Sequence, residues 1–317
     1  MRVRHTPVGA VGWDDTLKHE VTSHGFPHPI EVAMTTSGPA PGTGSDDYVH
    51  VNGLRFHYRE SGPATAPPVL VLHGLMGVCR EWDTLTSELA ESFRVIAVDQ
   101  RGHGRTDWAE EYTATGMADD VIGLVDSLGL ARVTLVGHSL GGIIAMVCAA
   151  QRPDLVERLV VVDVGPDSLT SGWGRRELPS ILEAMADNSY EDPEQAVGEW
   201  LAGNPLAREA LIRHYVEHSL VPRADGRLVW RFDAARLGRF VTEGVTGEQL
   251  WDAVDRITVP TLVLRGEHSE LLSPATATRM RHRLADARLA EIPGGGHDLG
   301  VEQPEAVAAA ILNFLRS

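Results

Sequence analysis

Cysteine is scarce in this chain: 317 residues contain only Cys79 and Cys148. Cys148 sits in an apolar helical stretch, so a disulfide framework is not indicated and a reducing compartment fits. Basic charge is in deficit as well. Against 44 acidic residues stand 28 lysines and arginines, a formal net charge of −16, which nucleic acid and anionic membrane surfaces repel at long range. Neither is expected as a partner. The segment Met1-Arg2-Val3-Arg4-His5-Thr6-Pro7 lacks the apolar run of about 7 to 15 residues that a secretory signal needs, and no stretch reaches transmembrane length. A cytoplasmic protein is expected. His24 and His28 have helical spacing, but Gly25 and Pro27 lie between them and no third ligand accompanies them. No metal and no cofactor is expected.

What is present is enough apolar material, 43% of residues, for one large α/β domain with an insertion or for two modest domains. Residues 1–47 lack periodicity and end in the Pro/Gly/Ser-rich stretch Ser37 to Ser45, which reads as a linker. Three readings of this extension stay open: a disordered arm, a strap over the body anchored by Trp13, Leu17, Phe26 and Ile30, or an arm exchanged between subunits of a homo-oligomer. From Tyr48 the pattern changes. Tyr48 to Val51 and Leu54 to Tyr58 alternate around Asn52-Gly53, a strong hairpin signal.

Short apolar runs at Val69–Leu72, Val95–Val98, Val133–Val136 and Leu159–Val162 then alternate with helical stretches, and another pair follows at Thr261–Leu264 and Arg288–Ile292. Strands separated by helices imply a mostly parallel sheet. Helices are expected at about 275–285 and 304–316. The core thus reads as 48–166 and 256–317. The region between, 167–255, breaks the rhythm with helical stretches at Leu178–Ala186, Pro193–Leu201 and Arg208–His218 and a turn at Asp225-Gly226. It also carries Trp173, Trp200, Trp230 and Trp251, four of seven tryptophans. An insertion between two strands lies outside the sheet, so this one reads as a cap whose aromatics form mainly its own core.

The run Arg132 to Val136 leads directly into Gly137-His138-Ser139-Leu140-Gly141-Gly142. A serine between glycines, at the end of a strand and the start of a helix, is the nucleophile elbow pattern G-x-S-x-G. Its small residues let strand and helix approach closely enough for the turn to close. A serine hydroxyl needs a base, an acid to orient that base, and donors for a developing oxyanion. Among fourteen histidines, His297 has the right chain order and context, in the glycine-rich loop Pro293-Gly294-Gly295-Gly296-His297-Asp298 after the last strand. The oxyanion donors are expected to be the backbone N–H of Leu140, which follows the serine, and that of Leu75, in His73-Gly74-Leu75-Met76-Gly77 after an earlier strand.

These segments, with Asp99-Gln100-Arg101-Gly102-His103-Gly104, resemble the α/β-hydrolase-fold enzymes of the esterase, lactonase and C–C hydrolase type over about residues 48–317. The resemblance implies a mostly parallel central sheet flanked by helices, with an inserted, mainly helical cap. It also implies that Asp99 serves a structural turn. The acid departs from the common pattern: where many relatives carry Gly-x-x-Asp after the late strand, Leu264 to Glu270 places Ser269. Some members, among them haloalkane dehalogenases, an acetamidomethylene-succinate hydrolase and zearalenone lactonases, carry the acid at the end of an earlier strand. Asp163 resembles that placement and is the expected acid. Glu270 is the alternative, with Glu267 behind it.

The expected reaction is hydrolysis of a carboxylic ester or lactone through an acyl-enzyme on Ser139, with His297 as base and Asp163 steadying the imidazolium. Leu75, Met76, Leu140 and Met146 are expected to give an apolar pocket. A hydrophobic, aromatic or macrocyclic, zearalenone-like small molecule fits it better than a highly charged one. Two other readings stay open: a C–C bond hydrolase with the same triad, and a hydrolase-like receptor with slow turnover.

Overall fold

A computed structural model describes residues 44–169 and 172–317. The Pro/Gly/Ser-rich segment before residue 44, the apolar residues expected to anchor it, and the His24/His28 pair lie outside the described residues, as does the Trp173 side chain.

Strands β1 (Ser45–Val51) and β2 (Leu54–Ser61) form the expected hairpin. Asn52 and Gly53 take φ of 50° and 80°, the paired left-handed conformation of a tight two-residue turn. The hairpin is longer than its apolar pattern. Ser45, Asp46 and Asp47, expected within the linker, pair with Glu60, Arg59 and Tyr58, because ladder hydrogen bonds are made by the backbone and need no apolar side chains.

Six further strands complete the sheet: β3 (Pro68–Leu72), β4 (Arg94–Val98), β5 (Val133–His138), β6 (Val156–Val162), β9 (Thr261–Gly266) and β10 (Ala287–Ile292), in the spatial order β1-β2-β4-β3-β5-β6-β9-β10. All pairs from β4 to β10 are parallel. The central strands read as unbroken apolar runs because both faces are covered, and alternate residues divide between two cores. Leu70, Leu72, Leu135, Leu159 and Val161 join α2 (Ala114–Ser127), α3 (Leu140–Gln151), α8 (Gly247–Arg256) and α9 (Pro274–Arg283) on one side. Val69, Val71, Val136, Val160 and Val162 join α1 (Asp83–Leu89) and α11 (Pro304–Leu315) on the other, around Trp82, Leu85, Ile311 and Phe314.

The insertion between β6 and β9 holds α4 (Gly172–Ala186), α5 (Pro193–Gly203), α6 (Glu209–Ser219), a small antiparallel hairpin of β7 (Leu220–Pro222) and β8 (Leu228–Trp230), and α7 (Ala234–Arg239), which runs into a turn of π-helix at Phe240–Gly244. Its aromatics pack on one another as expected: Trp200 lies edge-on to Tyr215, which stacks on Trp230, and Trp230 stacks on Phe232. The expected cap span, 167–255, takes in almost all of helix α8. Helix α8 packs on α3 in the layer over the sheet, and its Trp251 donates to Asp167 under the Arg279 guanidinium. Trp251 therefore anchors the core and takes no part in the lid. The amphipathic pattern of α8 fixes one buried face but not which layer it faces.

Candidate active site

The strand order sets the site. β3, β5, β6, β9 and β10 lie side by side and parallel, so the loops leaving their carboxyl ends meet along one edge, where open α/β sheets place their ligand crevices. Ser139 follows β5 and adopts φ 51° and ψ −116°, a strained backbone for a side chain with a Cβ. Close packing holds it there. A methyl group on Gly137 would strike the Gly141 carbonyl, and one on Gly141 would strike the carbonyls of Leu72 and His73.

His297, in the loop between β10 and the short α10 (Leu299–Glu302), lies between Ser139 and Asp163. Its Nε2 is 3.0 Å from Ser139 Oγ, and its Nδ1 is 2.8 Å from Asp163 Oδ2. Asp163 follows β6, is fully buried and also has φ 51°. Its Oδ1 accepts the Gly266 N–H at 2.9 Å, and its Oδ2 accepts the Ser269 hydroxyl at 2.6 Å. The serine at the position where many relatives place an aspartate is thus a donor to the aspartate of the neighbouring strand. Glu270, the alternative acid, is exposed and contributes to the cavity wall. The chain after Ser269 turns back through the Leu271 and Leu272 N–H groups, both donating to Ser269 Oγ.

Burial alone would lower the His297 pKa, but the hydrogen bond and charge of Asp163, with Asp298 and Glu302 behind, raise it above its ordinary value. The second elbow residue, His138, is 2% exposed and donates its Nε2–H to the His297 carbonyl at 2.9 Å. Burial and the neighbouring His297 push its pKa down to about 3, so the ring is neutral. Glu81, from the turn before α1, is desolvated and close to Asp298, which together push its carboxyl up to about 8. Sequence reasoning gave no role to His138, Glu81 or Asp298. His138 and Asp298 were visible inside the two key motifs, whereas nothing near Glu81 in sequence marks it.

The His73–Gly77 loop is braced from beneath. His73 accepts the Gln100 N–H on Nε2 and donates Nδ1–H to the Gly74 carbonyl, a neutral tautomer in keeping with a burial-depressed pKa of about 3. His103 holds the Leu75 carbonyl at 2.5 Å. Asp99 accepts from Cys79 N, Arg105 N and His57, the loop-pinning duty expected of it. From the cap, Tyr215 donates to the Met76 carbonyl at 2.6 Å. Leu140 opens α3, where helix geometry leaves its N–H without an intrahelical acceptor.

A cavity of about 610 Å³ lies between the sheet edge and the cap, with Ser139 and His297 in its wall. Leu75, Met76 and Leu140 line it, as do Ile143, Leu178 and Trp200. Met146 does not. It is fully buried in α3 among the core residues, in a helix that is covered on every face.

The alpha/beta hydrolase family model matches residues 69–310. The chain belongs to this family. Among curated family members it is 33% identical to an sn-1-specific diacylglycerol lipase of Mus musculus, over 80% of this chain and 82% of the relative. It is also 33% identical to a 2-(acetamidomethylene)succinate hydrolase of Mesorhizobium japonicum, over 84% and 94%. A crystal structure of E-2-(acetamidomethylene)succinate hydrolase superposes with a TM-score of 0.76 at 30% identity, covering 86% of this chain and all of that one. An esterase from Mycobacterium tuberculosis superposes at 0.71 with 26% identity, over 89% and 93%. These relatives are hydrolases, and the chain is accordingly a hydrolase. Among its described residues no helix is long and apolar enough to cross a membrane.

Proposed function

We propose that this hydrolase cleaves a neutral, apolar carboxylic ester or lactone through an acyl-enzyme on Ser139. The observation that carries the reading is the continuous hydrogen-bonded line from Asp163 through His297 to Ser139, opening into a largely apolar cavity. His297 Nε2 takes the serine proton as Oγ attacks the carbonyl carbon, and Asp163 holds the imidazolium that forms. The Leu75 and Leu140 N–H groups bind the oxyanion. His297 then returns the proton to the leaving alcohol, and a water activated by the same ring releases the acid.

Charge narrows the substrate. The cavity wall contains Glu81, Glu199, Glu270, Asp298 and Glu302, and neither lysine nor arginine among the described residues. A dicarboxylate, such as the succinate derivative named for the Mesorhizobium relative, would meet acidic side chains with no lysine or arginine to balance it. An aryl ester, a long-chain ester or a macrocyclic lactone would bury its surface against Leu75, Met76, Ile143, Leu178 and Trp200.

Rates on neutral aryl esters, a macrocyclic lactone, a dicarboxylic ester and a vinylogous dienoate test this reading. Turnover of the neutral esters or the lactone, with Ser139→Ala losing roughly 10⁵- to 10⁶-fold in kcat at unchanged melting temperature, is expected. Preference for the dienoate would make the enzyme a C–C hydrolase, and a burst followed by a stalled adduct would make it a receptor.

A further inference from the structure

We infer that Tyr215, on cap helix α6, is a positioning residue for the oxyanion hole: its hydroxyl sets the peptide that holds the Leu75 N–H, so the hole is complete only while the cap is seated. The inference rests on the proposed role of that N–H as an oxyanion donor.

A trans peptide is a rigid plane whose C=O and N–H point in opposite directions, so fixing one group aims the other. Two such planes connect Tyr215 to the reaction. Tyr215 Oη donates to the Met76 carbonyl at 2.6 Å, toward the short end for an O–H···O bond, and the N–H in that same plane belongs to Gly77. Gly77 N–H donates to the Gly74 carbonyl at 3.1 Å, and the N–H in that second plane belongs to Leu75. The Leu75 N–H has no backbone acceptor among the described residues, and Leu75 stands in the cavity wall.

Polarity runs the same way as geometry. A carbonyl that accepts a hydrogen bond makes the N–H of its own amide a stronger donor, by roughly 10–30% per bond along a chain. The core supplies one contact to this line, His73 Nδ1–H on the Gly74 carbonyl at 2.7 Å; the cap supplies its first.

Aromatic packing holds the hydroxyl on its target. Tyr215 is 3% exposed, with Trp200 edge-on at 4.7 Å and Trp230 stacked at 5.8 Å. One residue earlier, His214 Nε2 lies 3.1 Å from Asp83 Oδ2 of α1, which ties α6 to the core beside the loop. Packing needs only the ring, whereas the grip on Met76 needs the hydroxyl.

Tyr215→Phe keeps the ring and removes the donor, and its effect is read in three ways. On a neutral aryl ester kcat should fall about tenfold, with KM within about twofold of wild type. An aryl trifluoromethyl ketone should bind about tenfold more weakly, because Ser139 Oγ adds to its carbonyl carbon, His297 takes the proton and the ketone oxygen becomes the oxyanion. The matching secondary alcohol, which cannot react, should bind as before. The third reading needs no activity. Met76-Gly77 is the only Met-Gly pair in the chain, so carbonyl-¹³C methionine and ¹⁵N glycine labels single out one amide signal, and its proton should move upfield in the variant as the hydrogen bond weakens.

Unchanged kcat, equal weakening of ketone and alcohol, or a stationary Gly77 signal would each overturn the proposal. A wild-type protein that neither hydrolyses any ester nor takes up the ketone would defeat the functional reading, and the Gly77 signal would still decide whether Tyr215 holds the loop. Should Tyr215→Phe fail to fold, 3-fluorotyrosine at position 215, a more acidic donor of nearly the same shape, decides in its place: the Gly77 proton should move downfield, and a stationary signal would overturn the proposal.

Discussion

Ser139 and Asp163 share an unusual backbone, φ 51° in each, and both stand at the carboxyl ends of adjacent parallel strands. A left-handed conformation in a residue with a Cβ costs about 1–3 kcal/mol, and here it turns each side chain from the strand toward His297. Ser269 then ties the acid down from the next strand. Removing its hydroxyl in Ser269→Ala takes a donor from Asp163 Oδ2 and an acceptor from the Leu271 and Leu272 N–H groups. The expected result is a fall in kcat of about tenfold, the ~1.4 kcal/mol of one hydrogen bond, with KM little changed. The raised pKa of His297 has a sign that can be checked. Since the base must be neutral, kcat/KM should fall as pH drops through a value above the ordinary 6.5. This acid limb should move to lower pH in Asp163→Asn, because the imidazolium loses its hydrogen-bonded counter-charge.

At the scale of elements, β5, the elbow and α3 form one close-packed unit, whereas α5 has an exposed, open position at Gly198. Gly141→Ala should destabilise the protein by about 1–3 kcal/mol, since the new methyl overlaps the backbone of β3 and its loop. Gly198→Ala, inside α5 with nothing near the added methyl, should stabilise by about 0.5–1 kcal/mol. Urea midpoints of the two variants, moving in opposite directions, check both. The same contrast explains what could be read from the sequence. The sheet strands were legible because burial on both faces leaves uninterrupted apolar runs, and the elbow was legible because its glycines are sterically obligatory. The β7–β8 hairpin, α7 and the π-turn were not, because three to six residues carry too little periodicity to declare a type. Asp163 could be named as a candidate, but the Ser269 hydroxyl that holds it comes from residues 106 positions away, a distance that no local pattern spans.

The whole molecule carries a charge network in which His57 and Asp99 are buried and Asp46 is partly exposed. His57 bonds Asp99 on Nδ1 and Asp46 on Nε2, joining the edge hairpin to the loop after β4. Burial lowers the His57 pKa, but these two carboxylates outweigh it and raise the value above 6.5. The His57 hydrogen bond in turn draws Asp46 from 3.8 down to about 2. The Asp46 contribution to stability is therefore present above pH 3.8 and lost as pH falls toward about 2, whereas that of His57 is present below 6.5 and lost as pH rises through its raised value. Melting temperature against pH should slope at both ends, and His57→Asn should flatten both slopes. The candidate active site is likewise a property of the assembled sheet, since Ser139, Asp163 and His297 reach one another only because β5, β6, β9 and β10 lie in that order. The most direct test of that assembly is kcat on a neutral aryl ester for Asp163→Asn and Glu270→Gln, compared at matched melting temperature. A loss of about 10³- to 10⁴-fold in Asp163→Asn, with Glu270→Gln within about threefold of wild type, is the predicted result; a larger loss in Glu270→Gln, or an Asp163→Asn enzyme that keeps its rate, would contradict it.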